Sequence, residues 1–124
     1  MPGSDNFLLC KEKDMDSEIY EAILNSISTA IVFTGNDHII RYANRAAGIR
    51  YGKRGYPDLA GKSLFECHSP ASQEQIRQLH ARLLAGEDEL FLKINSDQEK
   101  ITIVGVRDAG GQLIGYYERF EKTG

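Results

Sequence analysis

Cysteine, proline and tryptophan are scarce in this sequence of 124 residues, which has two cysteines, three prolines and no tryptophan. Cys10 and Cys67 are far apart and form no C-x-x-C motif. This spacing argues against a disulfide framework, a zinc knuckle or an iron–sulfur site made by the chain alone. The few prolines, together with 41% hydrophobic residues, are typical of an ordinary globular protein and exclude a disordered or fibrous one.

Long apolar runs are also absent. No segment approaches the roughly 20 apolar residues that span a bilayer, and the start, Met1 to Asn6, lacks the basic and apolar regions of a secretory signal. The formal net charge of −3 provides no overall field that attracts nucleic acid or an anionic membrane. We therefore expect a cytoplasmic protein that binds neither.

The motifs of common catalytic sites are missing as well. The sequence contains no G-x-S-x-G, no H-E-x-x-H and no phosphate loop, and Gly110-Gly111 is better explained as a turn. Cys67 and His68 do not form a catalytic pair, because adjacent residues do not readily aim their side chains at one reacting centre. The sequence predicts no enzyme, no catalytic residue and, apart from the haem alternative below, no metal site.

The N-terminal part of the chain predicts an arm followed by a helix. Residues 1–16 show no sustained period and are expected to be a flexible arm, so that a single domain spans 17–122. A helix should begin at Asp16-Ser17, because apolar residues then recur at helical spacing. They form a first stripe of Ile19, Ile23 and Ile27 and a second of Tyr20, Leu24 and Ile27. So wide an apolar face must cover the domain's own sheet, a second subunit or both.

The remaining segments predict an α+β fold. Residues 30–34 and 39–42 are expected to form a hairpin, after which Asn44 caps a short helix. A longer helix should run from Ser69-Pro70 to Gly86. Three further strands, at 90–94, 101–106 and 113–120, are joined by turn residues. This order predicts one five-stranded antiparallel sheet with the helices on one face.

In element order and in three segments, the sequence resembles the PAS domains over roughly residues 17–122. The segment from Ala30 to Ala47 looks like the first PAS hairpin and its N-x-A-A helix start. Residues 59–64 (LAGKSL) and 104–118 (VGVRDAGGQLIGYYE) are similar to later PAS segments, the second of them to the final hairpin. The stretch 61–72 (GKSLFECHSPAS) resembles a subgroup with C-H-x-P-x-S, which is often joined to hemerythrin-like domains in bacteria.

The resemblance implies a bacterial signal-transduction sensor. PAS domains sense through a cavity between the sheet and the helices, and they dimerise through the N-terminal helix. Some hold haem, flavin or small organic acids. We therefore expect a sensory domain that binds a small ligand or cofactor, forms a homodimer and acts on an output domain or protein. The alternative is a ligand-free protein–protein interaction module with a full core, since a fold does not fix function.

The residues expected to line such a cavity come from the first hairpin, the stretch before the long helix, that helix and the strand at 101–106. They are Ile31, Phe33, Tyr42, Leu64, His68, Ile76, Leu79, His80, Leu83, Val104 and Val106. Haem is one alternative for the cofactor, because His68 or His80 beside an apolar cavity could ligate iron. An ordinary histidine bonded to backbone is the other interpretation. Cys67 is either a redox-sensing thiol or a small packed residue.

A basic segment is the sharpest electrostatic feature of the sequence. The basic segment spans residues 41–62. It has one acid, Asp58, and six cations, namely Arg41, Arg45, Arg50, Lys53, Arg54 and Lys62. It could attract a carboxylate, a phosphate or a haem propionate to the mouth of a cavity, or an acidic partner surface. A solvated basic face is the alternative.

Overall fold

The computed structural model describes residues 17–55 and 58–123, without the side chain of Cys67. The predicted arm at 1–16, with Cys10 and the expected cap Asp16, lies outside the described residues. None of the described helices is long and apolar enough to cross a membrane.

Five strands make one antiparallel sheet. They are β1 (Val32–Gly35), β2 (Ile40–Ala43), β3 (Glu89–Ile94), β4 (Glu99–Arg107) and β5 (Leu113–Lys122). Their order across the sheet is β2-β1-β5-β4-β3, and every neighbouring pair is antiparallel. The predicted hairpin and three-strand meander are confirmed, and β5 joins them in one sheet.

One helix precedes the first hairpin and the others follow it. Helix α1 covers 17–26, α2 is Arg45–Gly52, a 3-10 helix is Leu64–Cys67 and α3 is Pro70–Leu84. Asn44 caps α2 as predicted, because its side chain accepts a hydrogen bond from the Ala47 amide. The predicted short helix extends beyond Ala47, since α2 continues through Gly48 to Gly52.

Helix α3 begins and ends where the sequence predicts. The Ser69 hydroxyl accepts from the Ser72 amide, and Pro70 occupies the first turn, where no amide hydrogen is needed. The helix stops before Gly86, whose φ of 120° only glycine adopts readily. Its buried residues are Ile76, Leu79, His80 and Leu83, so the predicted apolar stripe packs against the sheet.

The face of the sheet that α3 covers is called here the inner face. Residues Tyr116, Glu118 and Phe120 of β5 alternate onto it, and all three are buried. The register places Ile103 opposite Glu118 and Ile101 opposite Phe120. A carboxyl group therefore lies at a position of the central strand where an apolar side chain is usual.

Candidate functional site

A cavity of about 380 Å³ lies between the inner face of the sheet and the helices that cover it. Its apolar wall is formed by Val32, Ile40, Leu59, Leu64, Ile76, Leu92, Ile101 and Phe120. Its polar and charged lining consists of Thr34, Arg50, Tyr51, Arg54, His68, Ser69, Ser72, Gln75, Lys93, Asn95 and Glu118. An apolar wall combined with converging polar groups is typical of small-molecule sites. Two more open depressions lie beside Ser28 and α2.

Three of the residues expected to line a cavity do so, namely Leu64, His68 and Ile76. The structure places the others elsewhere: Ile31, Phe33, Tyr42, Leu79, His80, Leu83, Val104 and Val106. Leu79 and Leu83 are buried on α3 outside the cavity. Leu83 packs over Gly105, where an added Cβ would lie 3.2 Å from the Leu83 Cδ2 atom. The part of the core around Gly105 is filled by side chains.

The face on which a strand side chain lies explains four of the eight misplaced residues. Val104 pairs with Tyr117 and Val106 with Gly115, on the face opposite to Glu118. Phe33 pairs with both Tyr42 and Tyr117 on that same outer face. The inward positions of β4 are Ile101 and Ile103 instead. The run I-T-I-V-G-V is apolar on both faces, so it carries no alternation that could have fixed the register.

His80 belongs to a polar cluster beside the cavity. Its Nε2 donates to the Asn36 Oδ1 atom over 3.0 Å, and its ring lies 4.8 Å from that of His38, edge to face. The His38 Nδ1 atom is 2.6 Å from the Tyr116 hydroxyl oxygen. Burial lowers the pKa of both imidazoles. The cluster links the turn after β1 to α3 and β5, and His38 and Asn36 are members that sequence reasoning missed.

His68 lies at the cavity wall, where its orientation is set by the 3-10 helix. The Nδ1 atom is 2.8 Å from the Leu64 carbonyl oxygen. Since a carbonyl only accepts, Nδ1 carries the hydrogen. His68 also lies close enough to Glu118 for its charge to act against the rise in the pKa of that acid.

Glu118 is the site residue that sequence reasoning missed most plainly. It lines the cavity and is 9% exposed. Its Oε1 atom is buried without a hydrogen-bond partner among the described residues. Burial raises the pKa of the carboxyl group, and the charges of His68, Lys93 and Arg50 oppose that rise. The only signal in the sequence is an acid at an inward position between Tyr116 and Phe120.

Acids from distant segments pair with several cations of the basic segment. Arg50 makes a bidentate ion pair with Glu99, with Nη–Oε distances of 2.9 and 3.2 Å. The Arg50 guanidinium and Asn95 lower the pKa of Glu99 to about 2. Arg54 lies 3.6 Å from Asp97 in an exposed pair. The predicted basic face is thus partly neutralised where it meets the cavity, a pairing that the local sequence did not show.

Haem fits these residues poorly. His80 does not line the cavity and its Nε2 is used by Asn36. His68 has the backbone hydrogen bond that often orients a metal-bound imidazole. The volume, however, lies near the lower end of the range for small-molecule pockets, about 300–1,000 Å³, and a buried carboxyl group projects from β5. A small organic molecule fits better than a macrocycle. Among the described residues, no group of three His, Cys, Asp or Glu side chains could hold a metal ion.

Asn44 connects the cavity wall to α1. Its amide nitrogen donates to the carbonyl oxygens of Leu24 and Thr29, each over 3.0 Å. Its amide oxygen accepts from the backbone nitrogens of Ile31 and Ala47, each over 2.9 Å. The side chain is 1% exposed, so both ends of the amide are satisfied internally. The start of α2 and the end of α1 are therefore held by one side chain.

A five-stranded antiparallel sheet whose covering helices enclose a small cavity defines an α+β domain. The family model described as PAS fold matches residues 24–124. The chain belongs to this family, and it is a sensory signalling domain of a type that is generally non-catalytic. The resemblance to the hemerythrin-associated subgroup stays a prediction.

Solved structures share the fold at low sequence identity. The C-terminal domain of a Streptococcus mutans protein is 24% identical with a TM-score of 0.68, over 86% of this chain and 84% of that one. A PAS domain from Colwellia psychrerythraea is 16% identical with a TM-score of 0.63, over 86% and 95%. A sensory box sensor histidine kinase from Vibrio cholerae is 18% identical with a TM-score of 0.57, over 96% and 97%. No curated protein sequence matches the chain.

Proposed function

We propose that this PAS domain binds a small molecule in the cavity over its inner face and passes the signal to α1. The observation that carries the proposal is the cavity itself, with a volume of about 380 Å³ and a lining of apolar and polar side chains. A well-packed interior has few voids larger than a water molecule, so a space of this size is best explained by an occupant.

The proposed route of the signal follows the contacts of α2. Arg50 and Tyr51 of this helix line the cavity, and Asn44 at its start holds the carbonyl groups at the end of α1. Asn25 of α1 in turn accepts from the Tyr42 hydroxyl and the Arg45 amide. A ligand that displaces α2 moves these hydrogen-bonding groups, and α1 must follow or lose them.

Methyl-resolved NMR tests the binding step. Isoleucine and leucine methyl groups are labelled, and the ligand-free protein is titrated with a small-molecule fraction of a cell extract. Shifts at Ile76, Leu92 and Ile101, without shifts at Leu83, would support a ligand in the cavity. Leu83 is the internal control because it is fully buried away from the cavity. An unchanged spectrum, or shifts confined to Leu83, would count against the proposal.

Helix α1 provides the proposed dimer contact. Ile19, Tyr20 and Ile23 are 54%, 62% and 54% exposed, whereas Asn25 faces the domain through its bonds to Tyr42 and Arg45. PAS domains commonly dimerise and are linked to output domains. An exposed apolar stripe of this kind is suited to a second copy of the chain, with an output domain or protein as the recipient of the signal.

Analytical ultracentrifugation tests the dimer. The variant Ile23→Asp should shift the protein to monomer, because an unpaired carboxylate would be buried in an apolar contact. Ala22→Asp is the matched control, since it adds the same charge about 100° around the helix. A wild-type protein that stays monomeric over a wide concentration range would end the dimer proposal.

A second candidate is a ligand-free interaction module, which the same exposed stripe of α1 favours. In that case the protein would dimerise or dock on a partner through α1 while the cavity held only water. A dimer whose methyl chemical shifts do not change with any small-molecule fraction would favour this second function.

A further inference from the structure

Two buried polar atoms without partners border the same cavity. They are the Glu118 Oε1 atom, an acceptor, and the Arg50 Nε atom, a donor. The third such atom in the described part of the chain, on Thr102, does not line the cavity. Buried polar groups in folded proteins nearly always have partners, since an orphaned group costs about 1–3 kcal/mol. Their location points to a group that completes both.

The side chains that carry these two atoms, Arg50 and Glu118, both line the cavity beside β5. The Arg50 guanidinium carbon lies 4.3 Å from the centre of the Phe120 ring, and Phe120 is two residues from Glu118 on the same face of β5. Positions two apart on a strand are separated by about 7 Å. The apolar side chains of Ile76, Leu92 and Ile101 complete the wall. This lining suits an apolar body with polar groups that can reach both Arg50 and Glu118.

Neither Arg50 nor Glu118 presents an unpaired charge that would attract a charged ligand. Both Nη atoms of Arg50 donate to the Glu99 carboxylate. The charge of the guanidinium is therefore already paired, whereas its Nε atom lacks an acceptor. Burial raises the pKa of Glu118, which favours the neutral acid over a charge in a low-dielectric site. Oε1 is an acceptor both in the carboxylate and in the acid protonated at Oε2. Lys93 is exposed and keeps its ammonium group in water. An uncharged ligand is therefore favoured.

We infer that the cavity takes a small uncharged molecule that accepts a hydrogen bond from the Arg50 Nε atom and donates one to the Glu118 Oε1 atom. This inference rests on the proposed function and names its ligand class. A carbonyl group at one end and a hydroxyl group at the other meet the two requirements, with the apolar body packed between Phe120 and α3.

Three neutral probes of one shape test the inference. They are 4-hydroxyacetophenone, which has both groups, acetophenone, which lacks the donor, and 4-ethylphenol, which lacks the carbonyl oxygen. Their affinities are measured by methyl NMR titration on ligand-free protein. We expect 4-hydroxyacetophenone to bind about tenfold more tightly than either of the others, since one buried hydrogen bond is worth about that factor. The anion 4-hydroxybenzoate should bind more weakly than 4-hydroxyacetophenone.

Two variants assign the preference to Glu118. In Glu118→Leu the advantage over acetophenone should vanish, and in Glu118→Gln, which keeps the Oε1 acceptor, it should remain. Glu118→Leu should also stay folded in urea titrations, because leucine leaves no orphaned polar atom. The inference would be overturned by equal binding of the three probes, by a preference that survives in Glu118→Leu, by tighter binding of 4-hydroxybenzoate, or by no binding at all. If no probe binds while the natively purified protein still carries a small molecule, only the ligand class fails and the proposed function stands.

Discussion

Truncation of two buried residues on α3 distinguishes a real cavity from a filled core. Ile76 and Leu83 are 1% and 0% exposed, but only Ile76 lines the cavity. Alanine removes three carbons at either position. The lost transfer free energy is about 2.4 kcal/mol in both cases, at roughly 0.8 kcal/mol for each carbon.

The term for the new void separates the two variants. At Leu83 the surrounding atoms, including those over Gly105, lose their contacts, and the total cost should reach about 4 kcal/mol. At Ile76 the vacated volume joins existing space. Part of the side chain already lacks neighbours there, so the cost should stay near 2.5 kcal/mol.

Urea unfolding of ligand-free protein measures both values. Leu84→Ala is the control, because Leu84 is 57% exposed on the same helix and its loss should change the free energy of unfolding by less than about 0.5 kcal/mol. The reasoning would be refuted if Ile76→Ala cost as much as Leu83→Ala or more. That result would mean that side chains fill the space beside Ile76.

Three further predictions concern the scaffold. Asn44→Ala should lower the free energy of unfolding by about 2–4 kcal/mol in urea, since a helix cap is lost and buried backbone groups lose their partners; a loss below 1 kcal/mol would contradict this. Gly115→Ala should prevent folding or strongly destabilise, because its Cβ would lie 2.2 Å from the Thr34 carbonyl oxygen, whereas Gly110→Ala, in an open turn, should be nearly neutral in the same assay. Because the folded pKa of Glu99 is lowered to about 2 from 4.5, its ion pair contributes stability above pH 4.5 that is lost as the pH falls towards 2. Arg50→Gln should reduce the fall in the free energy of unfolding between pH 4.5 and pH 2. Arg82→Gln, which breaks an exposed pair with Glu87, should change that fall less. Equal effects of the two variants would contradict the assignment to the Arg50–Glu99 pair.

Local signals made the fold predictable. Asn44 is a residue type that caps helices, Ser69-Pro70 is a typical helix start, and Gly86 follows the end of the longest described helix. The order of strands and turns then fixed an antiparallel sheet. Each of these signals acts over a few residues, which is why one sequence suffices to detect them.

The site depends on contacts between distant residues. Arg50 pairs with Glu99, which is 49 positions away in the sequence. The residues next to Arg50 and Glu99 contain no pattern that predicts this ion pair. The sequence predicts Val104 at the cavity, where the structure has Ile101, because both faces of β4 are apolar. Glu118 was overlooked because an acid in a strand normally faces water. Such features follow from the register of the sheet, which the local sequence specified only weakly.

Native mass spectrometry of protein purified without denaturation tests the central claim most directly. The account predicts a mass above that of the chain by the mass of one small molecule per domain, and loss of this excess on acid denaturation. Glu118→Leu should carry less of the same molecule than the wild type. A bare chain mass in every charge state, from gently purified wild-type protein, would contradict the claim that the cavity holds a ligand.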